Sequence, residues 1–214
     1  FRFKNKLLSL DSTTIDLCLN LFQWAEFRQQ KGGVKVHVLL DHDSYMPSFV
    51  HVTEANVHDI NVARILSLPS GSIVAMDKAY IDFKLMNQWN ERGIFFVTRM
   101  KKNAAYRVVE QRPLPKKRNI LNDEIVQMTG HYTSENYPAP LRRIVVWDKE
   151  NEREIVLLTN HLDFGATTIA AIYKDRWEIE LFFKALKQNL KVKTFIGTSR
   201  NALLIQIWTA LLAL

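Results

Sequence analysis

The segment Tyr173-Lys-Asp-Arg176-Trp-Glu-Ile-Glu180-Leu-Phe-Phe-Lys184-Ala-Leu-Lys187 constrains this chain more than any other. At about 100° per residue, a helix over it gathers Tyr173, Arg176, Glu180, Lys184 and Lys187 into one polar stripe. Ile172, Ile179, Phe182, Phe183, Leu186 and Leu190 fall opposite and need a core to cover them. A helix over about 168–189, capped by Thr167 or Thr168, is therefore expected to dock on a larger body. Two uses fit its polar face. The cations could hold phosphates beside a carboxylate that takes a divalent metal. The same spacing also suits a solvated face with Glu–Lys pairs at i,i+4.

The 214 residues are enough for one substantial domain, or one carrying an insertion. A net charge of +7 favours a polyanionic partner, most simply nucleic acid. The single cysteine, Cys18, excludes an internal disulfide framework, suits a reducing cytoplasm and reads as a small buried apolar residue. The apolar run Ala202 to Leu214 is broken by Gln206 and Thr209 and falls short of the roughly 20 residues that span a bilayer. It reads as a core helix. A chain opening on Phe1 and stopping inside a helical pattern reads as a piece of a longer protein.

Lys6 to Asp11 reads as a short buried strand ending in an aspartate, and Ser72 to Asp77 as a second. Between them, Val34 to Leu40 and Ser48 to Thr53 form a hairpin, followed by a helix over Asp59 to Leu66. A helix over Asp82 to Glu91, closed by Gly93, leads into a strand over Ile94 to Thr98. This order describes a mixed α/β sheet flanked by helices. From Thr98 to Asn160 the character changes to short strand-like runs between turns, a β-rich insertion (98–160) within a core made of 1–97 and 161–214. Arg99, Lys101, Lys102, Arg107, Arg112, Lys116, Lys117 and Arg118 concentrate positive charge at its start, as a solvated loop or a phosphate-contacting surface.

Asp11, Asp77 and Glu180 stand out as one carboxylate set. Strand ends on one side of a sheet are where α/β folds gather functional groups, and paired divalent metals need about three carboxylates around them. Asp16, Asp41, Asp43, Asp59 and Asp82 compete, and residue type alone does not exclude them. Asp11 in Leu-Asp-Ser-Thr, Asp77 in Met-Asp-Lys-Ala-Tyr80, and the spacing of Tyr173, Arg176, Glu180 and Lys187 together resemble bacterial insertion-sequence transposases of the DDE type. The closest group carries the signature Y-x2-R-x3-E-x6-K. Ala79 stands where the middle block usually has glycine.

The resemblance implies a ribonuclease H-like core interrupted by a β-rich insertion before the last catalytic helix. It implies that Asp11, Asp77 and Glu180 are catalytic and hold two Mg2+ ions, with Mn2+ as a substitute. Tyr173, Arg176 and Lys187 would contact DNA, with Lys184, Trp177 and Tyr80 as further candidates; Trp177 could instead pack against the protein. The implied partners are double-stranded DNA at element ends and target, and a second copy in a synaptic dimer, in the bacterial cytoplasm with no membrane. The alternatives are a catalytically silent DNA-binding remnant and a stand-alone nuclease of the same fold. No Gly-rich phosphate loop supports a nucleotide cofactor, and no histidine or cysteine spacing supports zinc.

Overall fold

The computed structural model describes residues 3–18, 20–28, 31–116, 119–190 and 197–214. Among these, β1 (Leu7–Leu17), β2 (Glu26–Arg28), β3 (Lys31–Asp41), β4 (Met46–Glu54), β5 (Ile73–Met76) and β6 (Phe95–Arg99) are joined by β7 (Tyr106–Gln111), β8 (Ile120–Met128), β9 (Leu141–Asp148) and β10 (Arg153–Thr159) in one ten-stranded sheet. Its order is β2-β3-β1-β5-β6-β10-β9-β8-β7, with β4 also paired to β3. The helices are α1 (Asp59–Ala63), α2 (Phe83–Glu91), α3 (His131–Asn136), α4 (Ala166–Asp175), α5 (Trp177–Leu190) and α6 (Arg200–Leu212).

β1 is the axis of the molecule. It pairs antiparallel with β3 along nearly its whole length and parallel with β5 only over Leu7 to Leu10. With β3–β4 antiparallel and β5–β6 parallel, this is the ribonuclease H-like arrangement. Successive side chains on a strand point to opposite faces, and the core divides accordingly. Leu8, Leu10, Val74, Met76 and Phe96 pack with Met86 and Trp89 of α2. Leu7, Ile73, Ala75 and Val97 pack with Ile169, Ile172 and Tyr173 of α4. Ile15, Leu17, Val36 and Val38 meet Ile179, Phe183 and Leu186 of α5 and Leu203 and Ile207 of α6. Fully burying side chains of this size contributes about 1.5–3 kcal/mol each, so α5 is anchored along its back.

Several expectations need correction. Asp11 does not end its strand: β1 continues through Ser12-Thr13-Thr14 to Leu17, because β3 supplies a partner for each residue. What ends beside Asp11 is the pairing with β5. The helix expected over 168–189 is two helices meeting at Arg176, and its start is capped by Gly165, not by Thr167 or Thr168. The break follows from packing, since α4 and α5 lie on different clusters of the core. Ile179 N–H bonds the Arg176 carbonyl at 3.2 Å, an i→i+3 contact that tightens the joint. Cys18, just past β1, is exposed. α6 buries Leu203, Ile207, Ala210 and Leu211 but leaves Ile205, Trp208 and Leu212 exposed.

The strands after Thr98 form a meander that extends the main sheet, because β10 pairs with β6. A buried ion pair fixes this meander to the segment that leads into α4. Arg142 Nε and Nη2 donate to the two oxygens of Asp123 at 2.7 Å each, and Arg142 Nη1 donates to the carbonyls of Leu162 and Phe164, which lead into α4. Both side chains are under 5% exposed. Breaking a buried pair strands a charge at about 3–5 kcal/mol. Asp123→Ala is therefore expected to lose about that much stability, measured by urea unfolding; a loss under 1 kcal/mol would show that water reaches the guanidinium.

Candidate active site

The face of the sheet beneath α4 and α5 carries the polar groups. On β1 the residues facing these helices run Leu7, Ser9, Asp11, and Asp77 follows Ile73 and Ala75 of the same face on β5. The register Leu10↔Met76 brings Asp11 and Asp77 level, and Ala75↔Val97 brings Asp77 level with Arg99. Asp77 is held by its own backbone: its Oδ1 accepts from Ala79 N–H at 3.0 Å and caps the turn Lys78–Tyr80. Glu180 comes down from the first turn of α5.

One cation links two of the three carboxylates. Arg176 Nη1 donates to Asp11 Oδ2 at 2.6 Å and Nη2 to Glu180 Oε1 at 2.7 Å, while Asp11 Oδ1 accepts from Ser12 N–H at 2.8 Å. Burial pushes the Asp11 carboxyl up to about 6 against the pull of Arg176 and the Ser12 amide, and the charges of Asp77 and Glu180 push the same way. Burial pushes the Tyr173 hydroxyl up against the pull of Arg176 and Arg99, and the Asp77 charge adds to the push. Among the described residues no three carboxylate, histidine or cysteine groups stand close enough to enclose a metal ion. The donor set nonetheless fits a hard divalent cation, since its groups are carboxylate oxygens and two of them already share one positive charge.

That arrangement predicts an unusual pH dependence. The folded protein holds a proton on Asp11 that the unfolded chain releases between pH 3.8 and about 6. The contribution is full below the lower value and lost as pH rises through the upper one. His37 works in the opposite direction: burial lowers it from 6.5 to about 4, so its contribution is full above 6.5 and lost as pH falls. Asp11→Asn should remove only the first slope. In EDTA, its stability relative to the parent should improve by about 1–3 kcal/mol between pH 4 and pH 7. Parallel pH profiles in urea unfolding would refute this.

Two cavities flank Glu180. An open pocket of about 590 Å3 is lined by Asp11, Thr13, Glu180, Phe183, Lys184 and Lys187, so both lysines stand beside the carboxylates, exposed. A groove of about 1000 Å3 runs between α4–α5 and the β9–β10 hairpin, and Trp177 lines it at 57% exposure. Tyr173 and Arg176 also border the groove but are each 6% exposed, so the upper half of the stripe faces the protein. Tyr80 is 1% exposed in the α2 core, which removes it from any DNA contact in this conformation. The turn capped by Asp77 carries the chain across to the other face within three residues.

The basic cluster divides. Arg99 sits on β6 in the row Asp11–Asp77–Arg99, its guanidinium 5.5 Å from the Tyr173 ring centre and its Nε buried without a hydrogen-bond partner. Basic density alone groups it with the insertion, whereas the period of two along β6 puts it in the row of aspartates. Lys101, Lys102, Arg107 and Lys116 are exposed, Arg112 pairs with Glu110 at 3.6 Å, and Lys117 and Arg118 lie outside the described residues. The competing aspartates have other work. Asp41 pairs with Lys6, Asp59 with Lys35 and Ser12, and Asp82 caps α2 and binds Arg64. Asp16 and Asp43 are exposed.

The profile of the family described as Transposase DDE domain matches residues 2–214. A protein of Sinorhizobium fredii named as the transposase y4zB is 36% identical over 95% of this chain and 58% of its own length. One of Geobacillus stearothermophilus, named as the transposase for insertion sequence element IS5377, is 30% identical over 99% of this chain and 56% of its own. The chain thus spans a little over half the length of these relatives. Among solved structures, the piggyBac transposase in a synaptic complex with hairpin DNA superposes with a TM-score of 0.53 over 95% of this chain and 45% of that one, at 13% identity, a likeness of fold. With a ribonuclease H-like sheet and a family profile matched from one end to the other, the chain belongs to the transposase DDE domain family.

Proposed function

We propose that this chain is the catalytic domain of a DNA transposase, which cuts phosphodiester bonds at element ends and joins the 3′-hydroxyl to target DNA. The observation that carries this reading is the cluster itself: Asp11 and Glu180 share one cation on the sheet face where Asp77 also lies. Asp11, Asp77 and Glu180 would hold the divalent ions, Mg2+ or Mn2+. When bound, such ions supply Lewis-acid charge at the phosphoryl oxygens. The chain's own residues do the rest. Lys184 and Lys187 line the pocket beside Glu180 and can take phosphates next to the cut. Trp177 offers an aromatic face on the groove to an unpaired base. Lys101, Lys102 and Arg107, exposed on the meander, add sequence-independent attraction for double-stranded DNA. A synaptic dimer belongs to the same proposal, as does a folding-unit boundary near residues 98 and 160.

The test uses the full-length protein, DNA carrying its element's ends, and Mg2+ or Mn2+. Nicked ends followed by joined products are expected. Tight DNA binding with neither product would support the silent remnant, and cleavage without joining would support a nuclease. No helix among the described residues is long and apolar enough to cross a membrane.

A further inference from the structure

Beside the site lies a chain of polar groups that the carboxylate cluster does not use. His42, in the turn between β3 and β4, has Nε2 2.7 Å from Ser9 Oγ and Nδ1 2.9 Å from Asp175 Oδ2. The first contact is a buried hydrogen bond. The second has ion-pair distance, but the ring N–H is not aligned on the oxygen. His42 N–H also donates to the Leu7 carbonyl at 3.1 Å, so the turn is fastened to β1 twice. Lys6 holds the preceding Asp41 at 2.8 Å, and Tyr45, at φ +54°, lies 5.9 Å from the His42 ring. A bulky residue in the left-handed region is strained, so this turn is held in one specific form.

The serine–histidine–aspartate order matches that of hydrolytic relays, but Ser9 is fully buried and lines neither cavity, so no substrate carbonyl can reach it. The position of the chain explains it better. Ser9 is two residues before Asp11 on the same strand face, and Asp175 is the last residue of α4, immediately before Arg176. We infer that His42 is a positioning residue: it ties the end of α4 to β1, fixing the helix joint so that Arg176 and Glu180 meet Asp11. Without it the only side-chain tie described from the joint to β1 is that of Arg176 to Asp11, and that guanidinium must also serve the site. This rests on reading Asp11 and Glu180 as the reactive carboxylates.

The test compares His42→Ala, His42→Gln and, as a control that loosens the same turn without touching Asp175, Lys6→Ala, all in the full-length protein. The first readout is the 15N guanidinium signal of Arg176, assigned with Arg176→Lys. It should be slowly exchanging in the parent and Lys6→Ala, lost in His42→Ala, and partly restored in His42→Gln, whose amide can reach Ser9. The second is single-turnover DNA cleavage at saturating DNA, which should fall about 10–100-fold in His42→Ala with Kd for DNA unchanged within twofold. An Arg176 signal unchanged in His42→Ala, or lost equally in Lys6→Ala, would overturn the inference. If His42→Ala loses its folded spectrum, His42→Gln decides by the same signal. A parent protein that cleaves nothing would sink the transposase reading, while the Arg176 signal would still decide the positioning one.

Discussion

Asp11→Asn, Asp77→Asn and Glu180→Gln are each expected to reduce strand cleavage by the full-length protein by about 1,000-fold or more while leaving DNA affinity within a few-fold. Each amide keeps the shape of the carboxylate but loses the charge that attracts a divalent cation. Under the proposed function, DNA affinity would come mostly from lysine and arginine contacts with phosphates, which these variants leave in place. The three should differ in stability. Asp11 is the most shielded of the pair held by Arg176, at 20% side-chain exposure against 35% for Glu180, and its charge is the one that burial opposes. Asp11→Asn should therefore fold at least as well as the parent at neutral pH, which separates lost chemistry from lost structure. Gel-based cleavage at saturating DNA, with affinity measured beside it, is the decisive pair of measurements. Parent-like cleavage by any one variant would exclude that residue from the proposed metal site.

The second large effect concerns Arg176, the cation shared by Asp11 and Glu180. Arg176→Ala should slow cleavage by about 100-fold or more, because the two carboxylates lose the group that orients them. It should also destabilise the protein in EDTA by about 1–3 kcal/mol, less than a fully buried pair would cost, since Glu180 is partly exposed. With Arg176 gone, the carboxylates repel each other and a divalent ion relieves them directly. Mn2+ should therefore raise the melting temperature of Arg176→Ala more than that of the parent. Arg176→Lys keeps the charge but cannot reach both carboxylates at once; it should recover most of the stability and little of the rate. If Mn2+ stabilises the parent more than Arg176→Ala, the guanidinium supports the metal site instead of standing in for a cation there.

Much of this site was legible in one dimension because its parts repeat with the period of their elements. Glu180, Lys184 and Lys187 share one face of α5 because they recur at 3.6 residues per turn. Asp77 stands out because an apolar strand ends beside it. The alternation along β1 is also local: Leu7, Ser9, Asp11 on one side and Leu8, Leu10 on the other. The expected strands and most of the helices appear within a few residues of their places for the same reason.

Periodicity says which residues share a face, but not what that face meets. Tyr173 and Arg176 read as part of an exposed stripe and are buried, because α4 lies on β5 and β6 while α5 lies on β1 and β3. The strand expected to end at Asp11 runs on through Ser12-Thr13-Thr14, because β3 supplies hydrogen-bond partners from more than twenty residues away. Tyr80 reads as a companion of Asp77 and faces the opposite core, and no local period shows that the β-rich insertion joins the main sheet through β10 and β6. His42 carried no spacing signal at all, since its partners lie 33 and 133 residues away. Local period and residue type mark the basic helix face, the order of elements along the chain and a set of carboxylate candidates, and the resemblance to transposases is what singles out Asp11, Asp77 and Glu180 among them. That Arg176 bridges Asp11 and Glu180, that Arg99 joins the row of aspartates and which tyrosine faces the site emerge in three dimensions alone, because non-local strand pairing and helix docking set those distances.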